Sequence, residues 1–483
     1  MAAQRWKGRV LSVTSEAVPL IKTGGLADVT GALPMALARE GWQMRTILPA
    51  YPGLREQLAD ETVIWQGADV FGGPGRVLAG AVTGQTILLL DAPHLYDRAG
   101  GPYGAGGRDH PDNGVRFAAL CWVAAELARG QGTDGWRADV LHAHDWQGGL
   151  APTYLKMAGA AVKSVLTVHN IAFQGIVAPD HLKALRLRFE DYHQGHLEYW
   201  GNISSLKAGL IDADAITTVS PTYGDELMRP EFGMGLEGVI AFRAKSVQGI
   251  LNGVDCTVWD PASDPHIQGY SVEKMAGKAK NRDRLLDEFD LGPVPGPLAV
   301  MVSRLTHQKG VDLLADALAP FVANGGGLAI LGTGDPWLEE MVQGLGARFP
   351  RRVAARIGYD EALSHRMFAG ADAVLVPSRF EPCGLTQMYG LRYGALPVVA
   401  ATGGLADTVI AASPASLAAG AATGVAFHPV DALALSQALR RLCQLYSNRT
   451  QWQQMQACAM AADVSWAMAA RTYAALYRSL TKG

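Results

Sequence analysis

The sequence predicts an α/β protein built from two doubly wound, Rossmann-like domains, and three observations predict it. Short β-branched or apolar runs alternate with helix-spaced segments almost throughout, which is the pattern of parallel βαβ units. Glycine accounts for 56 of 483 residues with no collagen-like period, as many tight strand-to-helix turns require. The alternation lapses once and then restarts, and the length suits two or three domains. With 49% hydrophobic and 18% charged residues the chain can bury large cores and is not disordered. Lysine plus arginine total 42 against 45 acidic residues, a net charge of −3, which argues against a globally basic nucleic-acid binder. A local basic pocket stays open.

The elements follow in order. Val10 to Ser15 reads as a strand, then a glycine-bearing loop, then Val29, Leu33, Ala36 and Leu37 at helical spacing. Pro34 is expected to kink that helix or to start its regular part. Further strands are expected at Arg45 to Leu48, Thr86 to Leu90, Val140 to Ala143, Ser164 to Val168 and Ala215 to Val219. The pattern lapses over Leu251 to Pro265, where N-G-V-D and D-P-A-S-D-P are turn-rich. A helical stretch (Lys274 to Phe289) and G-P-V-P-G-P lead into the strand Leu298 to Val302. A helix from Val311 and strands Leu328 to Leu331, Ala373 to Val376 and Leu396 to Ala400 restore the alternation. A hinge is placed near residues 245–255. Ligands on such sheets bind at the carboxyl ends of strands, so two facing domains are expected to form a cleft.

Five widely spaced cysteines with no C-x-x-C pair make a disulfide framework or structural zinc improbable and fit a reducing compartment. The N-terminal run M-A-A-Q-R-W-K-G-R-V lacks a signal-peptide core, and no stretch reaches about 18 uninterrupted apolar residues. A cytoplasmic protein that engages neither membrane nor nucleic acid is expected.

Four constellations can carry chemistry. K-T-G-G-L-A-D-V, Lys22 to Val29, follows the first strand; Gly24 and Gly25 let backbone approach a ligand, and the helix after them aims N–H groups at an anion. The alternative is a glycine turn with a solvated lysine. The motif matches neither G-x-G-x-x-G nor the Walker pattern. T-G-G-L-A-D recurs at Thr402 to Asp407, which suggests similar duty at two strand-loop-helix junctions unless it is coincidence.

S-R-L-T-H-Q-K-G, Ser303 to Gly310, places Arg304 and Lys309 at the end of an apolar strand. Two cations there suit a diphosphate, since an ion pair at about 4 Å is worth roughly 4 kcal/mol before desolvation at a dielectric near 20; the alternative is a surface basic loop. In R-F-E-P-C-G-L-T-Q, Pro377 and Pro382 keep Glu381 and Cys383 on a loop, and the N–H groups of Leu385 and Thr386 open a helix. Cys383 reads as a small lining residue rather than a nucleophile. The histidines in H-A-H-D-W-Q and T-V-H-N stand at strand ends. His142 and His144 are read as facing opposite sides of the sheet, which weakens a shared metal. Hydrogen bonding of the histidine segments, Asp145 and Asn170 to a polyhydroxyl ligand, or a purely structural role, are the readings left.

Together these motifs resemble the bacterial-type glycogen and starch synthases. The resemblance rests on K-T-G-G-L-A-D-V, H-A-H-D-W, T-V-H-N, T-T-V-S-P-T-Y, G-I-L-N-G-V-D, S-R-L-T-H-Q-K-G, G-T-G-D and F-E-P-C-G-L-T-Q in that order, from about residue 9 to near Leu480. It implies a GT-B glycosyltransferase: an N-terminal acceptor domain over 1–248, a nucleotide-sugar domain over 249–460, and a helix at 461–483 crossing back. Trp466, Ala470, Tyr473 and Tyr477 have the spacing for that helix.

The implied reaction moves glucose from ADP-glucose to the nonreducing end of glycogen or another α-1,4-glucan with retention, without cofactor or metal. By this resemblance Lys22, Gly24 and Gly25 face the sugar diphosphate, and Arg304 and Lys309 neutralise the leaving ADP with the amides of Leu385 and Thr386. Glu381 holds glucosyl hydroxyls, with Asp145, His169 and Asn170 around the transferred sugar. Tyr103 and Tyr359 are implied as sugar and adenine neighbours; Asp28, Asn252, Gly332, Cys383 and Gly384 complete the implied substrate-binding set. One departure is Gln147, where the family often has histidine after H-D-W. Rival readings are a GT-B transferase using another nucleotide sugar such as UDP-glucose, and a non-catalytic glucan-binding protein.

Overall fold

The computed structural model describes residues 6–482; the start of the N-terminal run inspected for a signal peptide, residues 1–5, lies outside them. The chain divides into two compact units, one running to Gly253 and taken up again from Trp466, the other Val254–Ser465.

The first unit is organised on a nine-stranded sheet. Its order is Val247–Gly249, Ala215–Thr218, Lys163–Val168, Val140–His144, Gly8–Val13, Trp42–Pro49, Gln85–Asp91, Gly75–Val82 and Ala59–Gly67. The first seven pair in parallel and are short and mostly buried, as strands covered on both faces must be. The last two are antiparallel additions at one edge. Ala59–Gly67 is half-exposed, with charged Asp60 and Glu61, so no apolar run marked it beforehand.

The helix Gly25–Arg39 buries Val29, Leu33 and Leu37 on one face. It starts at Gly25, so Pro34, which lies inside it, does not mark its beginning. The final helix, Trp466–Thr481, packs on the same core through Trp466, Tyr473, Ala474 and Tyr477, with Trp42 and Tyr477 edge-on at 5.3 Å. Each large apolar side chain so buried contributes on the order of 2–3 kcal/mol before entropy is counted.

The second unit carries a six-stranded, wholly parallel sheet. Its order is Val353–Ile357, Gly327–Gly332, Leu298–Val302, Ala373–Val376, Leu396–Ala400 and Val425–Phe427. The four central strands match the expected apolar runs. The two outer strands were not anticipated: Val353–Ile357 is only partly buried and includes Arg356, and Val425–Phe427 is three residues long. The helical segment expected from Val311 begins as a short 3-10 turn, Val311–Leu313, before the helix Leu314–Ala323. At the sheet's rim Asp372 Oδ2 accepts from Arg282 Nε (2.9 Å) and from the Leu298 amide (2.8 Å), fixing where the first strand starts.

Candidate active site

In both units the chemically interesting residues stand where the parallel strands end, as the crossover connection dictates. In the first unit, the loop after Gly8–Val13 is organised by Glu16, which the sequence reading passed over. Its carboxylate, 3% exposed, accepts from the Thr23 amide, from Thr23 Oγ1 (2.8 Å) and from Tyr103 OH (3.1 Å). Burial raises the Glu16 pKa and the Thr23 bonds lower it, with burial prevailing. Tyr103 OH also meets Ser15 Oγ at 2.7 Å. Lys22 lies in this loop, and its ammonium is 2.8 Å from Asp28 Oδ1.

Gly24 and Gly25 need no glycine for packing. A Cβ on either would meet nothing within 4 Å, and neither has a positive φ. The second T-G-G-L-A-D differs. Gly403 has φ +44 and its Cβ would lie 2.1 Å from the Glu381 carbonyl, while a Cβ on Gly404 would lie 2.2 Å from that of Cys383. The hexapeptides thus do different work: the first leaves open space before its helix, and the second is packed under the Glu381 loop.

A second cluster joins the ends of Val140–His144 and Lys163–Val168. Asp145, with φ +51, turns out of the strand into the short helix Asp145–Gly148. Its Oδ1 accepts from the His169 amide (2.6 Å) and the Asn170 amide (3.3 Å). Burial pushes the Asp145 carboxyl up to about 7, against the lowering effect of those two amides.

The expectation that His142 and His144 face opposite ways is wrong. Side chains two apart on a strand share a face, and the rings are 4.3 Å apart. His142 bonds Thr167 Oγ1 (2.6 Å) and Tyr477 OH (2.7 Å); His144 bonds His169 Nε2 (3.0 Å) and Ser12 Oγ (3.2 Å). Burial lowers His142 and His169 to about 3 and drives His144 well down, so all three rings are neutral. His169 is held between this ladder and Asp145.

In the second unit, two loops are zipped together. Arg379 makes a bidentate pair with Asp312 (2.8 and 2.7 Å) and donates to the His307 carbonyl (2.6 Å). Gln308 Nε2 donates to the Phe380 carbonyl at 3.1 Å. Gly310, φ +65, passes so close that a Cβ would sit 2.1 Å from the Pro377 carbonyl. This brings Lys309 to Glu381 at 2.5 Å, and Ser378 Oγ donates to the same Glu381 oxygen at 2.9 Å. Arg304 is exposed; its carbonyl accepts from the Thr306 amide (3.1 Å) and from Ser303 Oγ (3.2 Å), while its guanidinium has no hydrogen-bond or ion-pair partner among the described residues. The amides of Leu385 and Thr386, ahead of the helix Thr386–Arg392, find no acceptor among the described residues. Of the three expected phosphate-facing cations, therefore, Lys22 and Lys309 are each paired with a carboxylate and Arg304 is unpaired.

Other expected site residues have narrower placements. Gly384, φ +72, turns the chain between Cys383, which is buried, and Leu385. Gly332 is required by packing, because a Cβ would be 2.0 Å from the Ser303 carbonyl. Tyr359 is 76% exposed and bonds Glu361 at 2.7 Å. Asn252 is buried and its Oδ1 finds no donor among the described residues; the same holds for Gln147 Oε1. Asn252 shares no hydrogen bond with the other expected site residues among the described residues. Besides Glu16, sequence reasoning missed Ser378 and Tyr223, whose hydroxyl accepts from the Ile171 amide at 3.0 Å and steadies the T-V-H-N loop.

With this geometry in hand, similarity to known proteins is decisive. A family model described as starch synthase catalytic domain matches residues 9–242, and one for glycosyl transferases group 1 matches residues 287–456. The chain is 60% identical to a glycogen synthase of Cereibacter sphaeroides over 98% of its length and 99% of the relative. It is 56% identical to one of Paracoccus denitrificans over the same shares. Among solved structures, the catalytic domain of starch synthase IV from Arabidopsis thaliana, bound to ADP and acarbose, superimposes with TM-score 0.86 at 29% identity, covering 99% of this chain and 100% of that one. Sucrose-phosphate synthase from Thermosynechococcus elongatus, at 19% identity and TM-score 0.61, shares the fold, with 99% of this chain and all of that chain covered. The chain belongs to the glycogen synthase family of GT-B hexosyltransferases.

Proposed function

We propose that the chain transfers glucose from ADP-glucose to the nonreducing end of an α-1,4-glucan with retention, using protein groups alone. The observation that carries this reading is the zipped pair of loops in the second unit. Buried Glu381 is held by Lys309 and Ser378, and the same strand-end loops carry the unpaired guanidinium of Arg304 and the free amides of Leu385 and Thr386. Support for the ligands comes from the similar starch synthase catalytic domain, which binds ADP and acarbose.

In this mechanism the bond between the glucosyl anomeric carbon and the diphosphate oxygen breaks, and negative charge grows on departing ADP. Arg304, Lys309 and the two amides are fixed donors for that charge and need little reorganisation at the moment of reaction. The acceptor hydroxyl attacks from the face that ADP leaves, and its proton goes to the departing phosphate. Glu381 acts through its free oxygen on glucosyl hydroxyls, since its other oxygen is taken by Lys309 and Ser378. In the first unit, Gly24 and Gly25 leave open space ahead of their helix, in the same loop as Lys22, a setting that suits an anionic ligand. Neutral His169 and the Asp145 carboxyl supply mixed donors and acceptors for a sugar. We place this reaction in the cytoplasm; among the described residues no helix is long and apolar enough to cross a membrane.

Incorporation of labelled glucose into glycogen, run in parallel with ADP-glucose and UDP-glucose, tests the reading. Strong preference for ADP-glucose is expected; preference for UDP-glucose overturns the donor assignment, and no incorporation from either overturns the transferase reading.

A further inference from the structure

The first unit carries a small three-stranded sheet, Ile176–Val177, Asn202–Ser204 and Glu198–Tyr199, away from the large one. Its hairpin turns through Trp200 and Gly201, with φ of +49 and +76. Both central residues are left-handed, the geometry that favours Asn-Gly or Gly-Gly at a two-residue hairpin turn. Tryptophan at the first of these positions is a bulky residue in a conformation that disfavours it. Its indole gains no burial in compensation, being 78% exposed, and its Nε1–H has no acceptor among the described residues.

Everything beneath the indole is braced. Gly201 N–H donates to Glu198 Oε1 (2.7 Å), Tyr192 OH donates to the Gly201 carbonyl (2.9 Å), and Asn202 Nδ2 donates to the Trp200 carbonyl (3.2 Å). Lys207 Nζ, nearly buried, holds the carbonyls of Gln194 and Glu198 at 2.6 and 2.5 Å. The Met234 carbonyl accepts from Tyr199 OH (2.5 Å) and from Gln174 Nε2 (3.0 Å). Gln174, 7% exposed, leaves its Oε1 without a donor among the described residues. Phe173 beside it is 57% exposed, and Met234, itself at φ +50, is 42% exposed.

This surface is continuous with the sugar-facing cluster. Gly175 lies against Trp146, where a Cβ would be 2.4 Å from the indole, and Trp146 follows Asp145. Phe173 and Gln174 extend the loop that begins with His169 and Asn170. An exposed, rigidly held aromatic face next to polar groups is what the apolar faces of pyranose rings stack on, as bases stack on aromatic platforms.

We propose that Trp200 and its hairpin form a platform for a glucosyl residue of the acceptor α-1,4-glucan, beyond the residue that receives the transferred glucose. The inference rests on the acceptor proposed above. Trp200 is thus a specificity-determining residue for long acceptors.

The test uses the full chain and the variants Trp200→Asn and Trp200→Tyr. Asparagine tolerates the left-handed turn, so the hairpin is retained and the melting temperature stays level or rises. Calorimetry without donor is expected to show maltoheptaose binding weakened at least tenfold by Trp200→Asn and largely restored by Trp200→Tyr. With ADP-glucose, KM for glycogen should rise by a similar factor while kcat, and turnover of maltotriose, stay within twofold. Equal losses with both acceptors, or unchanged maltoheptaose binding, overturn the platform. So does a change from dimer to monomer in light scattering without a change in glucan binding, which would assign the surface to a second copy of the chain. If the unsubstituted chain neither binds maltoheptaose nor labels glycogen, the acceptor assignment itself fails; labelling with unaltered Trp200→Asn affinity rejects the platform alone.

Discussion

Lys309 and Glu381 meet at 2.5 Å across the two zipped loops of the second unit, both largely withdrawn from solvent. A pair in that setting is held in place by geometry more than by net attraction, because desolvation offsets much of the Coulomb gain. Removing one partner leaves the other charge stranded. Lys309→Ala is therefore expected to slow turnover more than about tenfold, or about 1.4 kcal/mol in the barrier. It should also lower stability by on the order of 2 kcal/mol. Glu381→Ala should cripple transfer, and the double variant Lys309→Ala/Glu381→Ala should lose less stability than the sum of the two singles. Urea titration and kcat normalised to folded protein separate the effects; unchanged turnover in folded Lys309→Ala removes that residue from the mechanism.

The glycines offer a contrast within one protein. Gly24→Ala and Gly25→Ala add a methyl where nothing lies within 4 Å and where φ is unstrained. Their stability should hold or rise by up to about 1 kcal/mol, since the unfolded chain loses freedom. If the donor is bound against this open space, as proposed, KM for ADP-glucose should nevertheless increase several-fold. Gly332→Ala instead drives a methyl to 2.0 Å from the Ser303 carbonyl and should destabilise by more than about 2 kcal/mol. Thermal melts and donor saturation curves on the three variants check both halves.

What the sequence made legible, and what it hid, divides along physical lines. Leu298–Val302, Ala373–Val376 and Leu396–Ala400 are buried on both faces and read as uninterrupted apolar runs, so their ends coincide with expectation. Edge strands such as Val353–Ile357 need no such run and left no signal. Glycine pairs, prolines and charges at strand ends pointed to the site because loops there are short and chemically dense. Their partners were invisible: Glu16 meets Tyr103 across 87 positions and Lys309 meets Glu381 across 72, and no local pattern encodes such pairings. That is also why Lys309 read as a free cation when it has a carboxylate beside it.

Asp145 is expected to make the fold weaker as pH rises. Its pKa is raised from 3.8 to about 7 by burial, so the native state holds a proton that the unfolded chain releases. The favourable contribution is complete below pH 3.8 and is lost as pH climbs towards 7. Asp145→Asn keeps a residue that tolerates the positive φ and removes the titration. It should stabilise the protein at pH 8 by a few kcal/mol relative to its effect at pH 4, while lowering transfer. Unfolding free energies of the two proteins at both pH values decide it, and a pH-independent difference would rule out a buried, titrating carboxyl.

The histidine ladder acts in the opposite direction and outweighs Asp145. His142 and His169 are lowered from 6.5 to about 3 by burial, and His144 is lowered well below its ordinary value. The unfolded chain then binds protons that the native state refuses, so stability is full above pH 6.5 and falls as pH drops towards 3. Three rings shift one way against two buried carboxyls, Asp145 and Glu16, shifting the other, so between pH 6 and 5 the protein should lose stability at on the order of 2 kcal/mol per pH unit. Tyr477→Phe removes the 2.7 Å bond to His142 Nδ1 and leaves that buried nitrogen unmet, costing about 1–3 kcal/mol at pH 7. His142→Gln removes one titrating ring, so its stability-against-pH slope should be shallower by about 1.4 kcal/mol per pH unit. Denaturant titrations from pH 5 to 8 on the three proteins measure both quantities; a slope unaffected by His142→Gln would mean that this ring is not the buried neutral group its contacts with Thr167 and Tyr477 describe.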